Sequence, residues 1–197
     1  MEHEIKGHII IVMAPMASGK GILISHIIKR FPMMKRLVSC TTRTRRPGEK
    51  EGEDYFFLSR DEFERKMKAH EFIEWSEFSG NLYGTLKTEI LGHLQEGHVA
   101  INEMDLRGVR QLFTLLPRDR MTVIYIDAGD WEALKARALL RAPISDGELA
   151  LRRLHYHEEI EFRDEADFII SNNDHELEGA KAHIEKIVGT IIKNSQT

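Results

Sequence analysis

The sequence predicts an α/β fold in which a five-stranded parallel sheet has helices on both faces and carries a small inserted lobe. Three observations predict it. Short, almost continuously apolar runs are typical of strands that are buried on both faces. Helical patterns separate these runs, and an alternation of strands with helices is typical of a parallel sheet. Between residue 41 and about residue 97, apolar and polar residues instead alternate as they do in half-exposed strands.

Five apolar runs supply the strands of the predicted sheet. They cover residues 9–13, 36–40, 99–102, 123–126 and 168–170. Helical patterns lie between and after them. Apolar residues recur at helix spacing behind Lys20, and a second helix is predicted at 131–140. Ser145 and Glu148 have capping-box spacing and predict a long helix from about 146 to 163, and an amphipathic pattern predicts a C-terminal helix at 174–193.

The middle segment is predicted to form the inserted lobe. Residues 55–57 and 72–78 alternate between apolar and polar, which is typical of antiparallel strands with one exposed face. Ser59 and Glu62 have capping-box spacing and predict a short helix that runs to His70. The lobe is therefore expected to contain both strands and a helix.

Composition excludes several classes of function. Lys and Arg total 28 against 32 Asp and Glu, a net charge of -4, so we expect no nucleic-acid partner. A single cysteine, Cys40, cannot form an internal disulfide and fits a reducing compartment. No apolar run approaches the roughly 18 residues of a membrane span. We expect a soluble, cytoplasmic protein with no membrane partner; its oligomeric state stays open.

A candidate phosphate-binding loop follows the first predicted strand and precedes a helix. Backbone N–H groups and a helix N-terminus bind phosphate in this setting. Against the pattern G-x-x-x-x-G-K-[ST], the segment keeps Gly19 and Lys20 but has Ala14 at the first glycine and Gly21 at the hydroxyl position. From this segment alone, a phosphate loop and an ordinary strand-to-helix turn are equally supported.

An arginine-rich segment favours the phosphate-loop interpretation over an ordinary turn. Arg43, Arg45 and Arg46 lie in a polar, turn-rich stretch, and the planar guanidinium donates paired hydrogen bonds to phosphate. From Ser39 to Tyr55 the order S-x-T-T-R-x-x-R-x-G-E-x-x-G-x-x-Y resembles the GMP-binding signature of guanylate kinases. Segments 71–75, 80–85 and 105–109 also resemble that family in order and spacing, so the resemblance covers roughly residues 8 to 190.

The resemblance implies a P-loop NTPase core with the five-stranded parallel sheet, a small mixed α/β GMP-binding lobe and a lid segment. It implies one guanylate kinase-like domain over residues 1–197. The core would comprise 1–40 and 98–197, the inserted GMP-binding lobe 41–97 and the lid about 141–147.

The resemblance also implies residues that bind the substrate GMP. The phosphate would be held by three residues, with a tyrosine closing beside them: Arg43, Arg46, Tyr55 and Tyr83. Four polar residues would face the guanine: Ser39, Glu74, Thr85 and Asp105. The chemistry of a glutamate supports this role, because an ionised carboxylate accepts two hydrogen bonds and guanine offers N1–H and N2–H₂ side by side. Without the arginines, a solvated strand glutamate would be the preferred interpretation.

The co-substrate ATP would be bound by the loop and by an asparagine at the adenine: Ala14, Pro15, Met16, Ala17, Ser18, Gly19, Lys20, Gly21 and Asn172. Catalysis would rest on one lysine and four arginines: Lys20, Arg43, Arg137, Arg141 and Arg152. The helical arginines have an alternative interpretation as solvated surface. Mg²⁺ is expected with ATP, held by phosphate oxygens and water, with Asp105 or Glu103 in the outer sphere; its protein ligands stay unknown, and the ten histidines form no metal-binding motif.

The sequence therefore predicts an ATP:GMP phosphotransferase that forms ADP and GDP by direct in-line transfer. The alternative is a catalytically weak guanylate kinase-like binding module for a nucleotide or phosphopeptide. The departures at Ala14, Met16, Ala17 and Gly21 favour that alternative. The retention of Lys20, Glu74 and Arg141 opposes it. A kinase of another nucleotide or a phosphosugar is opposed by the arginine pair and Glu74.

Overall fold

The structure, a computed structural model, describes residues 5–78 and 80–195. The strands are β1 (His8–Met13), β2 (Lys35–Arg36), β3 (Cys40–Thr41), β4 (Phe56–Phe57), β5 (Phe72–Phe78), β6 (Asn81–Leu86), β7 (Val99–Glu103), β8 (Met121–Asp127) and β9 (Phe168–Ser171). The helices are α1 (Lys20–Arg30), α2 (Arg60–Lys68), α3 (Lys87–Gln95), α4 (Leu106–Leu115), α5 (Trp131–Arg141), α6 (Asp146–Glu161) and α7 (Leu177–Ser195). No helix in the described ranges is long and apolar enough to cross a membrane.

The predicted parallel sheet is confirmed. Its order is β2-β7-β1-β8-β9, and every neighbouring pair is parallel. Because β1 is central and apolar throughout, its alternate side chains enter two different cores. Ile9 and Ile11 pack with the residues of α3 and α4, and Ile10 and Val12 pack with those of α1 and α7. Helices on both faces of the sheet follow from this pattern.

The second sheet has the order β4-β3-β6-β5 and forms the lobe between β2 and α3. β6 is antiparallel to both β3 and β5, as expected for the strand at 72–78. The antiparallel prediction for residues 55–57 was wrong, because β4 runs parallel to β3. The long connection from residue 42 to 55 lets the chain return in the same direction, whereas a tight hairpin would have reversed it.

The prediction of one strand at 36–40 was also wrong. Lys35–Arg36 pairs with β7 in the parallel sheet, whereas Cys40–Thr41 belongs to the second sheet. The buried residues of this segment enter different cores: Leu37 joins the core under β1, and Cys40 joins the small cluster around Phe63 and Phe72. A largely apolar run thus links the two sheets here and does not form one strand.

The predicted helix starts depend on their caps. At α2 the capping box is complete, since Ser59 Oγ accepts from Glu62 N at 3.2 Å and Ser59 N donates to Glu62 Oε2 at 2.9 Å. At α6 only the first half forms, because Glu148 binds Arg152 instead. α6 ends at Glu161 and continues as a 3₁₀ turn at Phe162–Glu165, two residues short of the predicted helix end.

Candidate active site at the carboxyl edge of the parallel sheet

The carboxyl ends of the parallel strands bring the chemically active loops together. β1, β7, β8 and β9 all point the same way, so the segments that follow them meet at one edge, which is where α/β sheets bind ligands. The loop of residues 14–19 follows β1, Asp105 follows β7, and Asn172 follows β9. The second sheet faces the same edge, because Tyr55 Oη donates to Glu103 Oε1 at 3.1 Å.

The loop between β1 and α1 has the backbone conformation of a phosphate-binding turn. Ala17 and Gly19 both have positive φ, 57° and 85°. α1 begins at Lys20, so the N–H groups of its first turn are directed at the loop. A Cβ at Gly19 would lie 2.6 Å from Asn172 Nδ2, whose amide donates to Ser18 O at 2.7 Å. Asn172, which follows β9, therefore fixes the loop that follows β1.

Three residues in and beside this loop bear on the binding of a phosphate and its cation. Lys20 Nζ lies 3.4 Å from Ala14 O, so the ammonium lies over the loop. Gly21 is exposed, and a Cβ built there would meet no atom within 4 Å. Ser18 Oγ is buried and has no hydrogen-bond partner among the described residues. The loop thus presents an ammonium and backbone donors, but no hydroxyl at the position after the lysine.

Two of the three helical arginines lie beside this loop. Arg152 Nη1 is 3.4 Å from Met16 Sδ, and its guanidinium is held by Glu148. Arg137 Nη1 is 3.4 Å from Asn172 O and pairs with Asp174 at 2.7 Å. Arg141 ends α5 with an exposed side chain that makes no ion pair within the described part of the chain. Arg141 is thus left unrestrained at the end of the helix that precedes segment 142–145.

The arginine-rich segment is organised by a glutamate. Arg43 donates to both carboxylate oxygens of Glu49, at 2.8 and 3.0 Å, and Arg46 N donates to the same carboxylate at 2.7 Å. Burial acts to raise the pKa of Glu49, but these hydrogen bonds and positive charges outweigh it and hold the pKa below its usual range. The Arg43 guanidinium lies 5.5 Å from the ring of Tyr55, which is 6.1 Å from the ring of Tyr83. The Arg46 side chain is exposed.

Among the described residues of the lobe, Glu74 is the one deeply buried carboxylate. It lies on β5 beside Thr85 of β6 and is 5% exposed. Burial and the negative charge of Asp105 raise its pKa to about 7, against hydrogen bonds from Thr85 that lower it. A Cβ at Gly108 would lie 2.7 Å from Glu74 Oε2, so only glycine at the start of α4 leaves room for this carboxylate. Burial of this carboxylate costs free energy, and the space beside Gly108 accommodates it.

Hydroxyl and amide groups surround that carboxylate. Ser39 Oγ and Thr85 Oγ1 are 3.0 Å apart, and Asn102 Nδ2 donates to both of them at 3.2 and 3.3 Å. Asp105 caps α4, because its Oδ1 accepts from Gly108 N, and its Oδ2 accepts from Ser76 Oγ at 2.5 Å. Glu74 and Thr85 thus lie on paired strands of the second sheet, Ser39 and Asp105 lie just outside strands beside them, and the guanine-facing roles of all four stay predictions.

The comparisons with known proteins agree on one family. The family model described as guanylate kinase matches residues 6–190. A guanylate kinase of Nostoc sp. is 38% identical over 89% of this chain and 87% of its own, and that of Rubrobacter xylanophilus is 39% identical over 87% and 88%. The chain belongs to the guanylate kinase family. A crystal structure of guanylate kinase from Anaplasma phagocytophilum superposes with a TM-score of 0.72 at 26% identity and covers 93% of this chain and 85% of that one.

Three residues of this guanylate kinase family site escaped the sequence reasoning. Glu49 lies inside the signature, but it is one of several acidic residues in that turn and no role was predicted for it. Asn102 lies in a strand that was predicted from its apolar residues. Glu159 of α6 is 9% exposed, and burial raises its pKa to about 8, with the positive charge of Lys20 acting in the opposite direction. Its neighbours Glu158 and Glu161 are exposed, so the acidic run concealed the one buried member.

Proposed function

We propose that this chain is a guanylate kinase that transfers the γ-phosphoryl group of ATP to GMP and forms ADP and GDP. The observation that carries the proposal is Glu74: a buried carboxylate that is hydrogen-bonded to Thr85, whose hydroxyl lies 3.0 Å from that of Ser39, in the same lobe as the Arg43 cluster. Glu74 and Glu159 both feel the charge of Asp105, and Glu159 also feels that of Lys20. The acceptor pocket and the phosphate loop therefore border one cleft.

Glu74 would select the base. When ionised it accepts from N1–H and N2–H₂ of guanine, while Ser39, Thr85 and Asp105 line the same pocket. Adenine presents an acceptor at N1 and carries no 2-amino group, so AMP would leave the buried carboxylate without a partner. Such an unpaired charge costs several kcal/mol, which is enough to separate the two nucleotides by a large factor.

The phosphates would be bound from two sides. Arg43, Arg46, Tyr55 and Tyr83 would hold the GMP phosphate, with Glu49 keeping the Arg43 fork in position. Loop N–H groups and Lys20 would hold the ATP phosphates, with Asn172 near the adenine. Arg137, Arg141 and Arg152 would neutralise the charge that develops on the transferring group. Such transfer needs positioning and charge neutralisation, and no protein nucleophile is required.

Mg²⁺ fits this cleft as a companion of the ATP phosphates. When bound it would neutralise phosphate charge during transfer. Gly21 offers no hydroxyl, and both oxygens of Asp105 already accept hydrogen bonds from the protein. Glu103 is then the carboxylate best placed to act through water, and the remaining positions would be taken by phosphate oxygens and water, which Mg²⁺ tolerates.

The proposed parts are a core of residues 1–40 and 98–197, a GMP-binding lobe of 41–97 and a lid of about 141–147. Two contacts between lobe and core support closure over the cleft. Tyr55 reaches Glu103, and the ring of Phe78, at the end of β5, lies 4.7 Å from that of His155 on α6. Closure of this kind excludes water while phosphoryl transfer proceeds. The stiff Ala142-Pro143 pair after Arg141 would slow lid motion.

The test is an ADP-release assay with ATP and, in parallel, GMP, AMP, CMP and UMP as acceptors. We expect turnover with GMP and at least a hundredfold lower kcat/KM with AMP. Binding of GMP by calorimetry without ADP release would support the binding module instead. Equal use of AMP or of a pyrimidine nucleotide would contradict the role of Glu74 and the proposed activity.

A further inference from the structure

The turn between α3 and β7 brings two histidines and a glutamate together. One ligand atom from each of His93, Glu96 and His98 lies within 4.8 Å of the others. The turn is a Schellman motif: His98 N donates to His93 O at 3.0 Å, and Gly97 takes a φ of 80°. This motif places the side chains of its first and last residues next to each other, which an apolar pair commonly exploits. Here both positions are imidazoles, with ring centroids 5.7 Å apart.

The inner nitrogens of these imidazoles lack partners. Nδ1 of His93 and Nδ1 of His98 are both buried, and neither makes a hydrogen bond with any described residue. His98 Nδ1 lies 3.2 Å from Glu96 Oε2, an ion-pair distance without hydrogen-bond geometry. Buried polar nitrogens are normally satisfied, since leaving one unpaired costs about 1–3 kcal/mol. In the tautomer protonated at Nε2, each Nδ1 carries a lone pair that is available to a metal ion.

We propose that His93, Glu96 and His98 bind one divalent transition-metal ion of the zinc class, with water completing the coordination. Imidazole and carboxylate ligands suit Zn²⁺ and its neighbours, whereas Mg²⁺ and Ca²⁺ prefer oxygen. Ligand atoms of a tetrahedral zinc centre are about 3.3 Å apart at bond lengths of about 2.0–2.1 Å. The cluster therefore contracts by about 1.5 Å at its widest separation when the ion binds.

The remaining contraction is toward His93, because Glu96 Oε2 already lies 3.2 Å from His98 Nδ1, about the separation of two ligand atoms. The Glu96 side chain is 66% exposed, against 37% for His98, so it offers both the freedom to move and the entry path for the ion. The metal would then join the end of α3 to the start of β7. The entrance to β1 is tied to the same place, because Lys6 N and Gly7 N donate to Leu94 O at 3.0 and 2.7 Å.

This site is separate from the proposed transferase reaction. It lies at the amino end of β7, whereas the phosphate loop and Asp105 lie at the carboxyl edge of the sheet. The bound ion is expected to stabilise the fold at the edge remote from the cleft. Its test therefore needs no nucleotide and stands or falls independently of the activity.

The experiment is a calorimetric titration of Zn²⁺ into the untagged, chelator-treated full chain. We expect one equivalent to bind, with at least about tenfold weaker binding in His93→Ala and in His98→Ala. His157→Ala, which removes an exposed imidazole of α6, serves as the matched control and should bind like the wild type. Circular dichroism without metal shows whether each variant is folded.

Two further measurements keep the proposal falsifiable if a histidine variant is unstable. Glu96→Gln changes an exposed side chain and should weaken Zn²⁺ binding without affecting the metal-free fold. Zn²⁺ should also raise the Tm of the wild type and of His157→Ala, and a chelator should reverse the rise. A wild-type chain that binds no Zn²⁺, or binding that Glu96→Gln and both histidine variants leave unchanged, would overturn the proposal.

Discussion

The two sides of the proposed cleft would hold their nucleotides by different means. On the loop side, the contacts available to a nucleotide come mainly from backbone N–H groups and from Lys20. On the lobe side, they come from side chains: Arg43, its partner Glu49, and the carboxylate of Glu74. Backbone recognition depends on conformation, and side-chain recognition depends on specific atoms. The loop therefore tolerates sequence changes that the lobe would not.

The loop shows this tolerance at residue level. Ala17 adopts a φ of 57°, a region that costs a non-glycine residue roughly 1 kcal/mol or more. The turn therefore holds an alanine in a conformation that favours glycine. Gly19 is different, because any side chain there would meet Asn172. Conformation is thus enforced by neighbours where the residue type does not favour it, so the departures at Ala14 and Ala17 are compatible with a working phosphate loop.

The largest expected effect separates the two sides directly. Lys20→Ala removes the one side-chain cation of the loop and should lower the rate of phosphoryl transfer by about 10³-fold or more. GMP affinity should stay nearly unchanged, because the acceptor phosphate is bound by the lobe. ADP release measures the rate of phosphoryl transfer, and calorimetry measures the affinity for GMP. Lys29→Ala, at the exposed far end of the same helix, is the control, and a comparable loss of GMP binding in Lys20→Ala would contradict the assignment.

The next effect tests the lobe. Glu74→Gln keeps the shape but presents an NH₂ group to the donor edge of guanine, which should cost about 2–3 kcal/mol, or about a 30- to 160-fold loss in kcat/KM for GMP. The ratio of GMP to AMP use should fall with it. Glu77→Gln on the same strand, where the glutamate is exposed, should leave both values unchanged. An unaltered ratio in Glu74→Gln would show that Glu74 does not read the base.

Whether a feature depends on local or on distant residues decides how much of the fold could be predicted from the sequence. The parallel sheet was predictable because β1 is apolar on both faces, and the α2 capping box was predictable because its signal lies within four residues. Helices α3 and α4 were not predicted, although the buried residues of each recur at helix spacing. The double role of residues 36–40 could not be seen either, because which sheet a residue joins depends on its distant partner.

The site divides in the same way. The arginines and Glu74 were found through the spacing of a signature, which is a local property. Glu159 was missed because only its burial distinguishes it from its exposed acidic neighbours, and the His93–His98 pair was missed because the turn that brings the two rings together was not predicted. Buried titratable groups are thus the part of a site that needs coordinates.

A smaller effect tests whether the loop has lost a cation ligand. Gly21→Ser adds a hydroxyl in open space and should lower the Mg²⁺ concentration for half-maximal rate by about five- to thirtyfold, which corresponds to about 1–2 kcal/mol. Gly21→Ala adds the same Cβ and more helix propensity without the hydroxyl, so it controls for stability. Thermal unfolding is measured on both variants. Equal Mg²⁺ dependence in folded Gly21→Ser and Gly21→Ala would exclude the missing ligand.

The smallest effect uses pH to separate the two sides. The raised pKa of Glu74, about 7, means that its ionised fraction grows from about one quarter to about three quarters between pH 6.5 and pH 7.5. Because guanine needs the ionised form, kcat/KM for GMP should rise about threefold over this interval. The GMP phosphate, with a second pKa near 6, becomes only slightly more charged over the same interval. The profile should flatten in Glu74→Gln and stay in Glu77→Gln.

Stability of the free protein should move in the opposite direction, which makes the pH experiment decisive. A carboxyl group whose pKa is raised by folding contributes stability that is present below its unfolded value of about 4.5 and is lost as pH rises through about 7. The Tm of the nucleotide-free chain should therefore fall between pH 5 and pH 8, and the fall should be smaller in Glu74→Gln. Glu159 has the same sign, since burial raises its pKa to about 8, so part of the fall will persist in that variant. A Tm trend that Glu74→Gln leaves intact, together with a flat kcat/KM profile in the wild type, would mean that Glu74 is ionised throughout. An ionised Glu74 would still accept from N1–H and N2–H₂ of guanine, so this outcome would contradict the raised pKa and leave the base-reading role intact.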